Sequence, residues 1–462
     1  LPVPVGGAFH VNAQKVVTLN TDSRHQVLIV GGGIAGTALL YTLARYTPLR
    51  RVALIEKASA LATVNSRTTY NSQTLHAGDI ETNYSLDKAL KVRSAVDMIV
   101  NFARAREDTG SLIFNYPKMV LGVGEAECAL IRQRFERFAP HYPNMRLLDA
   151  ADIARLEPNA ALCDGRPRPG EIAAMGSVGD WSTADFAALS RAFAQAAASE
   201  PGKEIEVRLD TRALDIEHRP DGFHVRTSRG RFSADALIVC AGAHSLLLAQ
   251  RMGYGERFSV LPVAGSFYLA PKLLNGKVYT VQNDRLPFAA VHGDPDIAAG
   301  GRTRFGPTAT VVPMLERHDW RSVPGFFRVF GPDRTLLAVY AQLLGVPDIR
   351  RYMGMNLLYD LPLLGRRLFL NSARKIVPSL RLNDLHYARG FGGLRPQLID
   401  KQERRLLMGE ASIPACDGLI FNVTPSPGAT SCLGNARADA QTVCRYLNVA
   451  FDDGRFAGEL AP

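Results

Sequence analysis

The first residues able to do recognisable chemistry form a glycine turn. Gly31-Gly32-Gly33-Ile34-Ala35-Gly36 follows the apolar run Gln26–Val30 (QVLIV) and precedes the helical stretch Thr37–Arg45 (TALLYTLAR). Glycines at these spacings have separate tasks. Gly31 permits a tight turn, Gly33 lets a pyrophosphate approach the backbone, and Gly36 allows a helix to pack closely on a strand. The free amides at the helix start then hold the phosphates. Glu56 closes a second apolar run, Arg51–Ile55. It falls about twenty residues past the turn, where a carboxylate accepts hydrogen bonds from a ribose diol. The set predicts dinucleotide binding, disfavours NADP, and leaves FAD and NAD to be separated.

Three later segments add to it. Ala236–Val239 (ALIV) runs into Cys240-Ala241-Gly242-Ala243-His244-Ser245, where small residues let a second piece of backbone come near a cofactor. Arg395 follows the pair Gly392-Gly393 on a turn, a setting in which its planar fork can grip a carboxylate in bidentate fashion. Ser426, Gly428, Ala429 and Thr430 precede an expected helix, Leu433–Leu447. The N-terminal dipole of that helix can stabilise negative charge on a reduced cofactor, although simple capping by Thr430 or Ser431 competes with this reading. Glycine turns about 200 residues apart suit a long flavin nucleotide threaded through a discontinuous domain.

The elements that must position these groups read as α/β. Gln26–Val30 and Arg51–Ile55 suit buried parallel strands. Ile205–Leu209, Ala213–Ile216 and Phe223–Thr227 are short strand-like runs broken by Pro220-Asp221-Gly222. Thr335–Leu344 and Asn356–Phe369, within a Leu-rich stretch from Ser322 to Leu380, predict helices. Leu1–His25 precede the first strand. At 462 residues the chain is about three times a usual domain. It has 54 basic and 44 acidic residues, net +10, spread in short pairs such as Arg350-Arg351 and Arg366-Arg367, so no nucleic-acid partner is expected. Cys128, Cys163, Cys240, Cys416, Cys432 and Cys444 lack C-x-x-C or zinc spacing, which predicts reduced thiols and no metal. No apolar stretch is long enough for a membrane span, and the first twenty or so residues lack a signal-peptide pattern. The expectation is a soluble or peripherally membrane-bound chain.

Asn71-Ser72-Gln73-Thr74-Leu75-His76-Ala77-Gly78-Asp79-Ile80-Glu81-Thr82-Asn83-Tyr84 resembles the flavin-facing loop of malate:quinone oxidoreductases. Leu261–Tyr268 (LPVAGSFY) is similar to that family's substrate-domain strand, and Phe305-Gly306-Pro307 to its Phe-Gly-Pro segment. Gly392–Gln397 and Pro425–Thr430 are similar to its closing turns. His76-Ala77-Gly78 also resembles the 2-hydroxyglutarate enzymes, which leaves the hydroxy acid open.

The resemblance implies a discontinuous Rossmann-type FAD-binding domain from 20–95, 170–250 and 385–450. An α+β substrate domain of the D-amino-acid oxidase type then takes 96–169 and 251–384, with a helical insert at about 322–380. It implies FAD, held by Gly31, Gly33, Ile34, Ala35, Gly36, Glu56, Lys57, Asn71, Ser72, Gln73, Thr74, Ala213, Leu214, Ala241, Gly242, Gly393, Gly428, Ala429 and Thr430. The implied substrate is a small carboxylate, malate-like, oxidised by hydride transfer, with electrons passed to a quinone or other acceptor. His76 is the preferred base, since histidines titrate near neutral pH. His292 is the second candidate. Arg395 is the expected carboxylate anchor, with Tyr268 and Arg302 as further substrate contacts. Arginines in the insert are a candidate surface for anionic lipid, against the stronger expectation that its Leu faces pack on a core. The expected location is the cytoplasm, or the inner face of the membrane. An amine or amino-acid oxidase using O2, or a flavin-binding biosynthetic protein without malate turnover, stays open as an alternative.

Overall fold

The computed structural model describes residues 23–282, 291–361, 364–407, 411–413, 415–424 and 427–461. Strand β1 (Ser23–Val30), helix α1 (Ile34–Tyr46) and strand β2 (Arg51–Ile55) form the expected strand-turn-helix-strand unit. β1 begins before the expected start, so His25 lies within it, with Nε2 2.8 Å from Glu206 Oε2. Residues 1–22 of the stretch expected before the first strand lie outside the described residues.

β1 and β2 are parallel and lie inside an eight-stranded sheet whose main path runs Glu204–Arg208, β2, β1, Gly230–Val239, Gly222–Thr227, Ala213–Arg219. Gly230–Val239 serves two neighbours on one side. Its first half pairs antiparallel with Gly222–Thr227, and Leu237–Val239 pairs parallel with Leu419–Phe421 of the strand Leu419–Val423. The alternation of β1 explains how it sits between two layers. Val27 and Ile29 pack with Leu39 and Leu43 of α1, while Leu28 and Val30 pack with Val239, Leu246 and Phe421. α1 is buried nearly all round, between helices Phe186–Ala198 and Cys432–Tyr446.

A second eight-stranded sheet carries Lys118–Val123, Lys277–Thr280, His292–Pro295 and Thr303–Gly306 among its strands. Ile172–Ser177 pairs antiparallel with Lys118–Val123 in this sheet, so the start of the expected 170–250 nucleotide segment belongs to the second sheet. A four-stranded sheet joins Phe258–Ala264 antiparallel to Leu394–Asp400, with Val263 opposite Arg395.

Two further expectations are corrected. Leu261–Tyr268 is not one strand: Phe258–Ala264 ends at Gly265, and Tyr268–Leu269 joins the second sheet. The Gly265 amide donates to the Gly393 carbonyl at 3.0 Å, one rung beyond Ala264 opposite Leu394, and past it Tyr268–Leu269 pairs instead with Thr303–Gly306 and His386–Tyr387. Asn356–Phe369 is likewise not one helix but parts of two, Pro347–Tyr359 and Leu364–Arg374. The corner is tight: a Cβ at Gly365 would lie 2.0 Å from the Tyr359 carbonyl oxygen.

Candidate active site

The β1–α1 turn opens into a cleft of about 470 Å³. Gly31, Gly33, Ile34, Ala35, Glu56, Lys57, Ala213, Leu214, Ala241, Gly242, Gly428 and Ala429 line it, drawn from five well-separated stretches of chain. Gly31 has φ +116°, and a Cβ there would lie 2.4 Å from the Cys240 carbonyl oxygen, so two backbones meet where side chains have no room. Gly36 does not line the cleft. Its Cβ would fall 2.0 Å from the Gly31 carbonyl oxygen, which makes it the residue that lets α1 close onto the turn.

Glu56 is buried, and each of its carboxylate oxygens holds an amide: Oε2 accepts from Gly32 at 2.7 Å and Oε1 from Ala58 at 2.9 Å. The acid is thus fixed at the end of β2 with lone pairs left for a ribose hydroxyl. Lys57 is not a free cation for phosphate, because its ammonium is bonded to Glu316. Burial pushes the Glu316 carboxyl up, but the His244 imidazole 3.7 Å away and the charge of Lys57 win and hold it down at about 2. Ser66 Oγ accepts the first amide of α1 at 2.9 Å. Ser66 and Glu316 line the cleft and were not found from the sequence, where nothing in their surroundings marks them, while His244 lines it from the small-residue turn 240–245 that the sequence placed near the cofactor.

A smaller recess, about 110 Å³, shares Asn65, Pro396, Thr424 and Ala429 with the large cleft and continues it. Asn71, Ser72, Thr74, His76, Gly393, Arg395 and Thr430 line it, so the loop, the arginine turn and the start of the last long helix converge. The His76 amide donates to Thr430 Oγ1 at 3.2 Å, and its Nδ1 stands 2.7 Å from Glu81 Oε1. Arg395 Nη1 is buried without a hydrogen-bond partner among the described residues. Burial pulls this guanidinium below its ordinary value, with the Tyr352 and Tyr279 hydroxyls acting the other way.

Side-chain capping of helix Cys432–Tyr446 does not occur: Ser431 makes no cap bond, and the Thr430 hydroxyl turns instead to the His76 amide and, at 3.4 Å, the Thr74 carbonyl. The helix start is therefore left to face the recess through Ala429 and Thr430.

Four sequence candidates lie elsewhere. Gln73 is fully buried with φ +54°; its Nε2 donates to the Thr68 carbonyl and its Oε1 accepts from Ile297, so it braces the loop from behind. His292 is buried and stacks on Tyr279 at 4.3 Å, in the layer behind Thr74, whose hydroxyl is 2.9 Å from Tyr279 Oη. Tyr268 donates to the Tyr359 carbonyl at 2.7 Å and stacks on Phe369, inside the core of the second sheet. Arg302 is exposed on a turn beside the Ala270 carbonyl. Neither Tyr268 nor Arg302 lines the recess.

The loop 71–74 rests on a buried ionic cluster that the sequence reading missed. Arg304 bonds Asp294 at 3.0 Å and donates to the carbonyls of Asn71 and Ser72, while Lys277 bonds Asp294 at 2.9 Å. Burial opposes the charge on Asp294, but Arg304 and Lys277 hold its carboxyl well below the usual range. Such a cluster costs desolvation and gives in return a loop backbone with one position.

A family model described as FAD dependent oxidoreductase matches residues 26–441. The chain is 48% identical over 447 residues to a probable malate:quinone oxidoreductase of Campylobacter jejuni, covering 95% of this chain and 100% of that one. It is 43% identical over 440 residues to the malate:quinone oxidoreductase of Helicobacter pylori, covering 94% and 97%. The L-2-hydroxyglutarate dehydrogenase of Escherichia coli is 28% identical over 428 residues, covering 88% and 90%. Among solved structures, glycine oxidase from Geobacillus kaustophilus matches with TM-score 0.63 and 21% identity over 94% of this chain and 98% of that one, a likeness of fold. The cleft fits FAD on its own terms, since glycine backbone, a helix start and a fixed acid all line it and it continues into the recess. The chain is an FAD-dependent oxidoreductase of the D-amino-acid oxidase fold and belongs with the malate:quinone oxidoreductases.

Proposed function

We propose that the protein oxidises malate at the small recess and delivers the electrons to a quinone. The observation that carries the substrate class is Arg395, whose Nη1 is buried without a hydrogen-bond partner among the described residues, in the recess that also holds His76. A donor buried without an acceptor costs about 1–3 kcal/mol, and a substrate carboxylate removes that cost. His76 takes the proton of the α-hydroxyl as the α-hydrogen departs. FAD, when bound, supplies the acceptor for that hydride. The loop 71–74 and the Thr430 hydroxyl keep His76 in place. The cofactor reading extends to the residues named from the resemblance, with Gly36, Lys57 and Gln73 acting by packing or bracing.

The names of the relatives support malate and a quinone. A quinone acceptor dissolved in a bilayer in turn requires a membrane-facing surface. No helix among the described residues is long and apolar enough to cross a membrane. We place the protein at the inner face of the membrane as a peripheral component, held by the helical insert. Trp320, Phe327, Leu337 and Leu357 there are each more than half exposed, and Arg321 is 86% exposed beside Trp320.

His76→Ala tests the chemical reading. The variant is expected to keep its FAD and to reduce it with malate at least about 10²-fold more slowly. A reduction rate within a few-fold of the parent would remove His76 from the chemistry.

A further inference from the structure

Glu81 sits five residues beyond His76 on the same loop, is 2% exposed, and has not been needed for any step so far. Its surroundings are elaborate for a loop acid. Arg134 donates to the backbone carbonyls of Glu81, Thr82 and Tyr84, at 2.8 to 3.1 Å, and pins the chain on which the carboxylate rides. Lys118 from the second sheet is buried beside it and pairs with Asp79 at 2.7 Å. Lys88, Tyr142 and Tyr279 face Glu81 from a helix, a turn and a strand. Burial pushes the Glu81 carboxyl up, but the hydrogen bond and charge of His76, and then the charge of Lys118, outweigh it and hold the group below its ordinary range. Among the described residues Glu81 Oε2 has no hydrogen bond, and the carboxylate's one side-chain hydrogen bond there is that of Oε1 to His76.

An ionised carboxylate can only accept a hydrogen bond. The 2.7 Å contact therefore puts the imidazole proton on Nδ1 and leaves Nε2 with a free lone pair. We propose that Glu81 is the positioning residue of this site: it fixes the tautomer and ring plane that present Nε2 of His76 to the substrate hydroxyl. The inference rests on His76 being the base.

In the step so assisted, the substrate O–H bond breaks and its proton joins Nε2. The electron pair left on oxygen forms the new C=O bond, and the α-hydrogen leaves with its pair as hydride. The imidazolium keeps its Nδ1 proton on Glu81, whose negative charge stabilises it. Glu81 takes up no proton.

The test uses the FAD-loaded enzyme, with ring-labelled histidine read by 15N NMR, and Glu81→Leu, Glu81→Gln and Glu81→Asp. In the parent, neutral His76 is expected as the Nδ1–H form. Glu81→Leu should shift it towards Nε2–H and lower kcat by roughly 10²-fold with KM changed by less than about threefold. Glu81→Gln keeps an acceptor for Nδ1–H but loses the charge, so the acidic limb of the kcat/KM profile should move to lower pH. Glu81→Asp should recover part of kcat. If Glu81→Leu fails to hold FAD, the Gln profile decides. An Nε2–H tautomer in the parent, or an unmoved acidic limb in Glu81→Gln, overturns the proposal. A normal reduction rate in His76→Ala would instead defeat the base reading, and the NMR tautomer separates the two failures.

Discussion

Arg395 shows what a single residue can carry. Its strand pairs with Phe258–Ala264, which fixes the backbone, and its Nη1 is buried with no acceptor among the described residues. Removing the guanidinium should cost a bound carboxylate about 3 kcal/mol, close to a 10²-fold rise in the malate concentration needed for half-saturation. Arg395→Ala should show this in a titration of FAD reduction against malate, while purifying with FAD. Arg395→Lys should recover only part, because an ammonium lacks the fork. An unchanged midpoint in Arg395→Ala would take the anchor away. The glycine pair before Arg395 made the residue legible in the sequence. His76 was legible only through the family loop, and the role of its partner Glu81 depends on how the intervening turn folds. Tyr268 and Arg302 were misplaced because residue type says nothing of side-chain direction: the strand at 268–269 sends the tyrosine into the core.

At the scale of elements, Glu157 joins two parts of the substrate side. It ends helix Ala150–Leu156, is fully buried, and accepts from the amides of Asn275 and Gly276, just before the strand that carries Lys277. Burial outweighs those bonds and pushes its carboxyl up to about 7. The folded state therefore binds a proton that the unfolded chain, near its ordinary value, has released. This contribution is complete below about pH 4.5 and is lost as pH rises through 7, to a total of at most roughly 3 kcal/mol. Urea unfolding at pH 5 and pH 8 should show Glu157→Gln gaining on the parent across that interval. Parallel stability curves would contradict it. The elements legible in advance were those with a local signature, such as β1, α1 and β2 around the glycine turn, and helix Cys432–Tyr446. Those read wrongly were decided by tertiary packing: Tyr268–Leu269 pairs with Thr303–Gly306 and His386–Tyr387 in the other sheet, and Gly365 lies against the Tyr359 carbonyl where a Cβ has no room.

Across the whole molecule, the insert divides its apolar residues by face. Leu336 and Val339 pack against Leu261, Val263 and Ile399, while Leu337 is 59% exposed. The core-packing expectation thus holds on one side of this helix, and the proposed lipid contact would use the other. Vesicles rich in anionic phosphatidylglycerol should carry the protein upward in a density gradient, and Trp320→Glu with Leu337→Glu should leave it at the bottom with malate-dependent FAD reduction intact. Flotation of the double variant equal to the parent would exclude this face. The discontinuous assembly around FAD was legible as a pattern of glycine turns. Its internal division was less so, because a segment's sheet membership, as at Ile172–Ser177, is set by pairing with strands far away in the chain.

The most direct measurement is an anaerobic visible spectrum of the FAD-loaded protein before and after L-malate, beside L-2-hydroxyglutarate and a panel of amino acids. Malate is expected to bleach the flavin band, and a soluble quinone analogue to restore it. Bleaching by an amino acid with none by malate would contradict the account and assign the recess to a different donor.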